Sequence, residues 1–281
     1  MPTTLDEALK WAQRQLEAAG ISTARLDALV LLEDLSGANR AKILAEPKLT
    51  LTSRQYTHYQ QAIQARTKHV PLAYIRQKTE FYGRDFFVDS RVLEPRPESE
   101  AIIDELLKLR PDTKKVYTII DVGTGSGALI ITAKLEVPGA KAIAIDIDRA
   151  CLGVARHNAN AYNCPITFIR SNLISQVPEA VFQTASIIIA NLPYVPNDWH
   201  INRSAGHEPA RAIFGGKTGL ELYERLFEQL SQLQTKPEFI ITESLPPQHE
   251  ALTLIARQHN YGICSDNDFV QVFSYSEPRQ V

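Results

Sequence analysis

The stretch Asp121-Val122-Gly123-Thr124-Gly125-Ser126-Gly127-Ala128 decides the fold, because its glycines separate an apolar run from a segment with helical periodicity. The run before it is Val116-Tyr117-Thr118-Ile119-Ile120. A strand that leads through glycines into a helix is typical of sheets that bind a nucleoside cofactor, since the missing side chains let the cofactor approach the backbone. The stretch therefore predicts an α/β domain with a cofactor site at this turn.

Further short apolar runs follow at intervals, and the segments between them carry helical periodicity. These runs are 142–145, 166–169, 186–189 and 239–241. Short runs without alternation are typical of strands covered on both faces, so we expect a doubly wound, mostly parallel sheet.

Asp146 follows the second of these runs, where a carboxylate can hold ribose hydroxyls. Gly123, Gly125 and Ala128 also satisfy the spacing of a dinucleotide-binding loop. The turn and Asp146 by themselves leave open which nucleoside cofactor is bound.

The tetrapeptide Asn191-Leu192-Pro193-Tyr194 follows the run 186–189, at the carboxyl edge where such sheets bind ligands. An amide nitrogen is a poor nucleophile because its lone pair is delocalised, so an enzyme must hold its two hydrogens with acceptors. The Asn191 side-chain oxygen and the Leu192 carbonyl are such acceptors. Pro193 keeps Leu192 extended, and Tyr194 offers an aromatic wall for a flat amide or base. A hydride-transfer enzyme needs no such group, so the tetrapeptide favours S-adenosylmethionine as cofactor, although Asn and Pro are also common in plain turns.

Residues 1–75 have the pattern of a small all-helical domain, which we expect to dock the substrate. Thr4 can cap a first helix, and Gly20 lies where a carboxyl-terminal cap belongs. The next helix should turn Leu26, Leu29, Val30 and Leu32 inward and end at Gly37, and a third should span 53–68.

Residues 76–93 predict a linking β-hairpin, since aromatic and β-branched residues flank Gly83-Arg84-Asp85. Pro95 and Pro97 then force an extended entry into residues 94–281, the predicted catalytic domain.

The composition is that of an ordinary folded chain, with a formal net charge of −2 over 281 residues. This charge gives no general attraction to phosphate backbones, so no stable nucleic-acid partner is expected. Three dispersed cysteines and the loop histidines His200 and His207 suggest no metal site and no disulfide framework. The absence of a long apolar stretch leads us to expect no membrane contact and a cytoplasmic location. We also expect a monomer.

The order of these motifs resembles the HemK/PrmC group, the release factor glutamine methyltransferases. The similarity covers most of the chain and rests on the helical amino-terminal domain, the glycine turn, the Asn191 tetrapeptide and several shorter segments. Those segments are Pro71-Leu72-Ala73-Tyr74, Pro95-Arg96-Pro97-Glu98-Ser99-Glu100, Glu208-Pro209, Phe214-Gly215-Gly216 and Gly219-Leu220.

The resemblance implies a seven-stranded Rossmann-like methyltransferase sheet and methylation of the glutamine nitrogen in the Gly-Gly-Gln loop of peptide chain release factors. It implies that S-adenosylmethionine is held through its methionine part by the glycine turn, through its ribose by Asp146, and beside its adenine by Asn172 and Leu173. The implied cofactor-binding residues are Gly123, Thr124, Gly125, Ser126, Gly127, Asp146, Asn172, Leu173 and Asn191. The implied substrate-binding residues are Asn191, Leu192, Pro193, Tyr194 and Glu208, and the first four are also the implied catalytic residues.

This sequence departs from the family pattern at Asn172, where an aspartate is usual, at Leu192, where proline is more common, and after Glu243, where glycine is usual. Asn-Leu-Pro-Tyr is also the form found in ribosomal RNA adenine methyltransferases, which supply the alternative function. A non-catalytic nucleotide-binding adaptor is a further alternative, against which the intact Asn191 and Tyr194 argue.

Overall fold

The computed structural model describes residues 3–109, 117–184 and 186–277, so Val116 of the first predicted strand lies outside the described residues. The chain divides into two compact units. One is Met1–Lys78 with Ile201–His207, and the other is Thr79–His200 with Glu208–Val281.

The first unit is helical. Its helices are α1 (Leu5–Ala18), α2 (Ala24–Ser36), α3 (Arg40–Ala45), α4 (Ser53–Thr67) and α5 (Leu72–Arg76). Thr4 caps α1 in a reciprocal capping box with Glu7, and Gly37 ends α2 in the left-handed conformation, as the sequence predicts. Helices α1, α2 and α4 pack around Leu16, Leu32 and Tyr59, which are fully buried.

The prediction that Leu26 faces inward is wrong, because its side chain is 50% exposed. The neighbouring Asp27 is buried instead, and Arg66 Nε on α4 donates to its carboxylate at 2.7 Å. A paired carboxylate can occupy a core position that hydrophobic periodicity assigns to leucine.

The second unit begins with the predicted hairpin, in which β1 (Thr79–Phe81) pairs antiparallel with β2 (Arg84–Phe86). Tyr82 and Gly83 both have positive φ in the connecting turn. A short 3₁₀ turn at Pro97–Ser99 then leads into α6 (Glu100–Lys108).

The rest of this unit alternates strands and helices. The strands are β3 (Thr118–Val122), β4 (Lys141–Asp146), β5 (Thr167–Arg170), β6 (Ser186–Ala190), β7 (Val195–Pro196), β8 (Phe214–Gly216), β9 (Phe239–Glu243), β10 (Tyr261–Asn267) and β11 (Val270–Tyr275). The helices are α7 (Ala128–Glu136), α8 (Arg149–Ala161), α9 (Glu221–Ser231) and α10 (His249–Gln258).

Among the described residues, seven strands form one sheet in the order β10-β11-β9-β6-β3-β4-β5. Strands β5, β4, β3, β6 and β9 are parallel, and β11 is antiparallel to both of its neighbours. The strand order reverses between β3 and β6, which is where sheets of this kind bind ligands. The predicted doubly wound, mostly parallel seven-stranded sheet is confirmed.

Each face of the sheet is covered by its own apolar cluster. One cluster includes Ile119, Ile187 and Ile131 of α7, and the other includes Ile120, Ile188 and Phe227 of α9. Burial on both faces explains why these strands read as continuous apolar runs. None of the helices in the described ranges combines the length and apolarity needed to cross a membrane.

Candidate active site

The glycine turn after β3 is folded back onto the end of β4. The Gly123 and Thr124 N–H groups both donate to the Ile145 carbonyl at 2.9 Å. Gly127 has a φ of +82°, and a Cβ there would lie 3.0 Å from Ala155 Cβ of α8. A larger residue at Gly127 would therefore strain the backbone and push α8 away from the turn.

Asp121 lies at the base of this turn and was not among the predicted site residues, although it opens the motif. It is fully buried and accepts the Thr124 hydroxyl at 2.6 Å. Burial raises the pKa of Asp121 to about 7, and the nearby charge of Asp146 adds to the shift. Its Oδ1 atom has no hydrogen bond of normal geometry to any group that the structure describes.

Asp146 closes the other side of the turn. Its Oδ2 accepts the Gly125 N–H at 3.0 Å, and its Oδ1 accepts the Asp148 N–H at 2.8 Å. Burial raises the pKa of Asp146 to about 6, against the opposing effects of the Gly125 N–H and of Arg211. Arg211 pairs with Asp148, so a guanidinium group lies near Asp146 at this edge of the sheet.

The predicted tetrapeptide follows β6 directly and lies beside the glycine turn. A Cβ on Gly123 would be 3.1 Å from Leu192 Cδ2 and 3.9 Å from the Asn191 carbonyl oxygen. The Leu192 N–H donates to the Tyr223 hydroxyl at 3.2 Å. The structure thus brings the predicted cofactor turn and the predicted catalytic segment together at one carboxyl edge.

Gly215 and Gly219, which follow Glu208 in the chain, have a structural explanation at this site. A Cβ on Gly215 would overlap the Pro193 carbonyl, and a Cβ on Gly219 would overlap the Tyr194 carbonyl. The Gln248 side chain also donates to the Tyr194 carbonyl at 2.8 Å. These residues hold the backbone of the tetrapeptide in place.

Three side chains behind the tetrapeptide were missed from the sequence. Asn191 Nδ2 donates to Ser99 Oγ at 2.9 Å, and the Tyr194 hydroxyl donates to Glu243 Oε1 at 2.8 Å. The Tyr223 hydroxyl lies 3.0 Å from the Ala190 carbonyl. Ser99 and Glu243 lie in segments that the family resemblance singled out, whereas no sequence signal pointed to Tyr223.

Two groups of predicted site residues have other partners. The Glu208 carboxylate is buried and accepts Arg96 Nη2 at 2.6 Å. Burial raises its pKa, and the Arg96 charge opposes this. Asn172 and Leu173 follow β5, where Asn172 Oδ1 accepts Arg225 Nη2 at 3.2 Å. Leu173 has a φ of +54° and a side chain buried in the core, so its predicted place beside the adenine stays a prediction.

The residues at this edge fit a nucleoside cofactor with ribose hydroxyls and a charged amino acid end. Space at Gly125 is open, since a Cβ there would meet only the Gly123 carbonyl at 4.0 Å. Each Asp146 oxygen accepts one backbone N–H and keeps a lone pair for a hydroxyl. Beside it, Ile147 exposes 53% of its surface and offers an apolar face to a flat ring.

Comparison with known proteins supports this assignment. Residues 7–76 match the model of the PrmC N-terminal domain, and residues 102–193 match that of ribosomal protein L11 methyltransferase (PrmA). A release factor glutamine methyltransferase of Koribacter versatilis is 36% identical and covers 81% of both chains. One of Bacillus anthracis is 34% identical and covers 84% of both chains. This chain belongs to the release factor glutamine methyltransferase family.

Solved structures agree on the fold. The hMettl16 catalytic domain, bound to a MAT2A 3′UTR hairpin, superposes with a TM-score of 0.53 at 14% identity, covering 82% of this chain and 84% of that one. At such low identity the likeness shows the methyltransferase fold alone. Family membership favours the glutamine reaction over the ribosomal RNA adenine alternative.

Proposed function

We propose that this chain transfers a methyl group from S-adenosylmethionine to the side-chain nitrogen of the glutamine in the Gly-Gly-Gln motif of peptide chain release factors. The observation that carries the proposal is the contact between the tetrapeptide 191–194 and the glycine turn, in a member of this family. Donor and acceptor would then meet at one edge of the sheet.

The turn 123–127 and Asp146 would hold the cofactor, which supplies the methyl group. Backbone N–H groups and the helix α7 N-terminus suit its carboxylate, and the Asp146 oxygens suit its ribose hydroxyls. The unpartnered Asp121 Oδ1 at the base of the turn is an acceptor suited to an ammonium group. We also place Asn172 and Leu173 at the adenine end, as the family resemblance implies.

The tetrapeptide would hold the glutamine amide. Because Asn191 Nδ2 donates to Ser99, its Oδ1 is the atom left to accept one hydrogen of the substrate amide. The Leu192 carbonyl would accept the other. Tyr194 would lie against the flat amide, with its ring fixed by the bond from its hydroxyl to Glu243.

Orientation replaces a strong base in this scheme. The Asn191 Oδ1 and the Leu192 carbonyl accept the two amide hydrogens in hydrogen bonds. These bonds orient the amide so that its nitrogen faces the methyl donor. As the carbon–nitrogen bond forms, the sulfur–methyl bond would break and leave S-adenosylhomocysteine, and the nitrogen becomes acidic and sheds one proton to solvent. The side chains that matter for the rate are therefore the ones that aim the amide.

The helical unit is proposed to dock the release factor. Two bonds inside it hold its segment 201–207: Arg66 Nη1 donates to Ser204 Oγ at 3.3 Å, and the His207 ring bonds the Lys68 carbonyl at 2.9 Å. A chain without residues 1–75 should bind cofactor but methylate release factor slowly. If the truncated chain methylated release factor at the full rate, the helical unit would not be the docking domain.

Mass spectrometry of a release factor incubated with the enzyme and S-adenosylmethionine tests the proposed reaction. We expect one added methyl on the Gly-Gly-Gln glutamine, and none when that glutamine is replaced by glutamate. Ribosomal RNA in a parallel reaction tests the alternative acceptor. Methylated adenine together with an unmodified release factor would overturn the proposal.

A monomeric state and a cytoplasmic location complete the proposal, and sedimentation of the active enzyme tests the monomeric state.

A further inference from the structure

Glu243 is a buried carboxyl directly behind the tetrapeptide, and the proposed reaction uses it only as the acceptor of the Tyr194 hydroxyl. It ends β9, the parallel neighbour of β6, and is 1% exposed. The strand register pairs Ala190 with Thr242, so Asn191 and Glu243 are the next residues on the two strands. A carboxyl placed there loses its hydration, which must be replaced by protein groups.

Three polar groups surround this carboxyl. The Tyr194 hydroxyl donates to Oε1 at 2.8 Å. The Ser99 hydroxyl and the Asn191 amide also favour the charged form of Glu243, although burial and the Glu98 charge leave its pKa raised overall. The second oxygen, Oε2, is buried and has no bond of normal geometry to any group in the described part of the chain.

The Glu243 carboxyl accepts the Tyr194 hydroxyl through Oε1, so it faces the tetrapeptide as an acceptor. Ser99 Oγ also accepts a hydrogen bond, from Asn191 Nδ2 at 2.9 Å. The inner side of the tetrapeptide is therefore lined by acceptors, which favour hydrogen-bond donors facing them. The Asn191 amide must then turn its NH₂ group inward and its oxygen outward. The outward oxygen is the acceptor that the proposed reaction requires.

We propose that Glu243 is a positioning residue that, with Ser99, fixes the orientation of the Asn191 amide and of the Tyr194 ring. This inference rests on the proposed function for its kinetic consequences only, because the orientation of Asn191 can be observed without substrate. Glu243 touches no reacting atom in this scheme and acts through its two neighbours.

The substitution Glu243→Gln separates positioning from bulk. The Tyr194 hydroxyl keeps the Gln carbonyl facing it, so the new NH₂ group replaces Oε2. A donor in that place favours the flipped Asn191 amide, with NH₂ facing the substrate amide. We expect the single-turnover rate to fall about 10²-fold while affinity for S-adenosylhomocysteine changes less than about threefold.

Matched variants control for burial and for the hydroxyl. Glu105→Gln changes another buried glutamate, paired with Lys108 on α6, and should keep the wild-type rate. Ser99→Ala should slow methyl transfer about tenfold, and Ser99→Thr, which keeps the hydroxyl, should recover most of it. If the rate fell only because packing was weakened, Ser99→Thr would not recover the rate that Ser99→Ala loses.

A double-variant cycle with Asn191→Ala distinguishes positioning from direct action on the substrate. If Glu243 acts through Asn191, adding Glu243→Gln to Asn191→Ala should lower the rate by less than about threefold. A further loss near 10²-fold would mean that Glu243 contacts the substrate itself, and it would overturn the inference.

The side-chain amide signals of Asn191 provide the readout that needs no release factor. In a ¹⁵N spectrum of the free enzyme they are identified by their loss in Asn191→Ala. We expect them to be slow to exchange in the wild type and to shift and exchange faster in Glu243→Gln. Unchanged signals would overturn the inference, whereas a wild-type enzyme that leaves release factor unmodified would refute only the proposed function.

Discussion

Gly123 and Leu192 face each other where the strand order reverses, so that a Cβ on Gly123 would lie 3.1 Å from Leu192 Cδ2. Gly123 belongs to the turn that we assign to the cofactor, and Leu192 supplies the carbonyl that we assign to the substrate. The cofactor turn and the tetrapeptide are therefore adjacent, so a substitution in one should change both cofactor affinity and the rate of methyl transfer.

Gly123→Ala should weaken cofactor binding and slow methyl transfer together. The residue has a φ of +83°, which costs a non-glycine residue about 1–2 kcal/mol, and the new Cβ presses on Leu192. Calorimetry with S-adenosylhomocysteine and single-turnover kinetics measure the two effects. Leu192→Ala in the same chain makes room for the methyl group and should restore part of the loss.

Gly153→Ala is the matched control for that substitution. Gly153 lies within α8, has no positive φ, and a Cβ there meets nothing within 4 Å. Alanine should stabilise this helix by about 0.5–1 kcal/mol and leave activity unchanged. If both variants bound cofactor as the wild type does, the turn would have no role in the cofactor site.

Cofactor affinity should fall as the pH drops through about 6, the value to which burial raises the pKa of Asp146. Ribose hydroxyls donate to the ionised carboxylate, so a protonated Asp146 must first lose its proton, at a cost of up to tenfold in affinity per pH unit. Calorimetry at pH 5 and pH 8 measures this difference.

Asp146→Asn should weaken binding by about 1–3 kcal/mol at pH 8 and reduce the pH dependence. Asn keeps an acceptor for the Gly125 N–H, so the turn is less disturbed than with alanine. Tight binding of NAD with no binding of S-adenosylhomocysteine at either pH would refute the cofactor assignment.

The free protein should lose stability as the pH rises from about 4 to about 7, in part because of Asp121. Burial raises the pKa of Asp121 from 3.8 to about 7, so the folded state binds more protons than the unfolded state in this window. The free energy of unfolding then decreases with rising pH. Asp121→Asn removes this contribution and should stabilise the free protein at pH 8 by about 2–4 kcal/mol relative to its effect at pH 4.

Urea denaturation of both proteins at the two pH values measures the difference. Other buried carboxyls, such as Glu208 and Glu243, titrate in both proteins and cancel in the comparison. An equal effect of the substitution at both pH values would show that Asp121 keeps an ordinary pKa in the fold.

The sequence was informative where the signal is local. The glycine turn, Asp146 and the tetrapeptide each follow a strand directly, so their common edge could be predicted once the strands were recognised. The support behind the tetrapeptide could not, because Ser99 and Glu243 meet Asn191 through the register of β6 and β9 and the packing of the 3₁₀ turn before α6. Leu26 was misplaced for the same reason, since the partner that lets Asp27 be buried, Arg66, lies on another helix.

Asn191→Ala should slow methyl transfer about 10²–10³-fold and change cofactor affinity little. The substitution removes the outward Oδ1 acceptor, and its other bond, to Ser99, lies behind the site rather than in the cofactor turn. An amide held by the Leu192 carbonyl alone can rotate, so the nitrogen is aimed less often. Single-turnover rates with saturating cofactor isolate this step from binding.

Leu192→Pro is the companion variant, because it keeps the carbonyl at that position. It removes the N–H that donates to the Tyr223 hydroxyl at 3.2 Å and shortens a buried side chain, so we expect a stability loss of about 2–3 kcal/mol with most of the activity retained. The two variants separate the role of the Asn191 side chain from that of the Leu192 backbone. Asn191→Ala removes the side-chain acceptor, whereas Leu192→Pro keeps the carbonyl acceptor. If Asn191→Ala stayed within about threefold of the wild-type rate, the amide would be oriented by other groups, since an acceptor in contact with the reacting amide contributes far more than that.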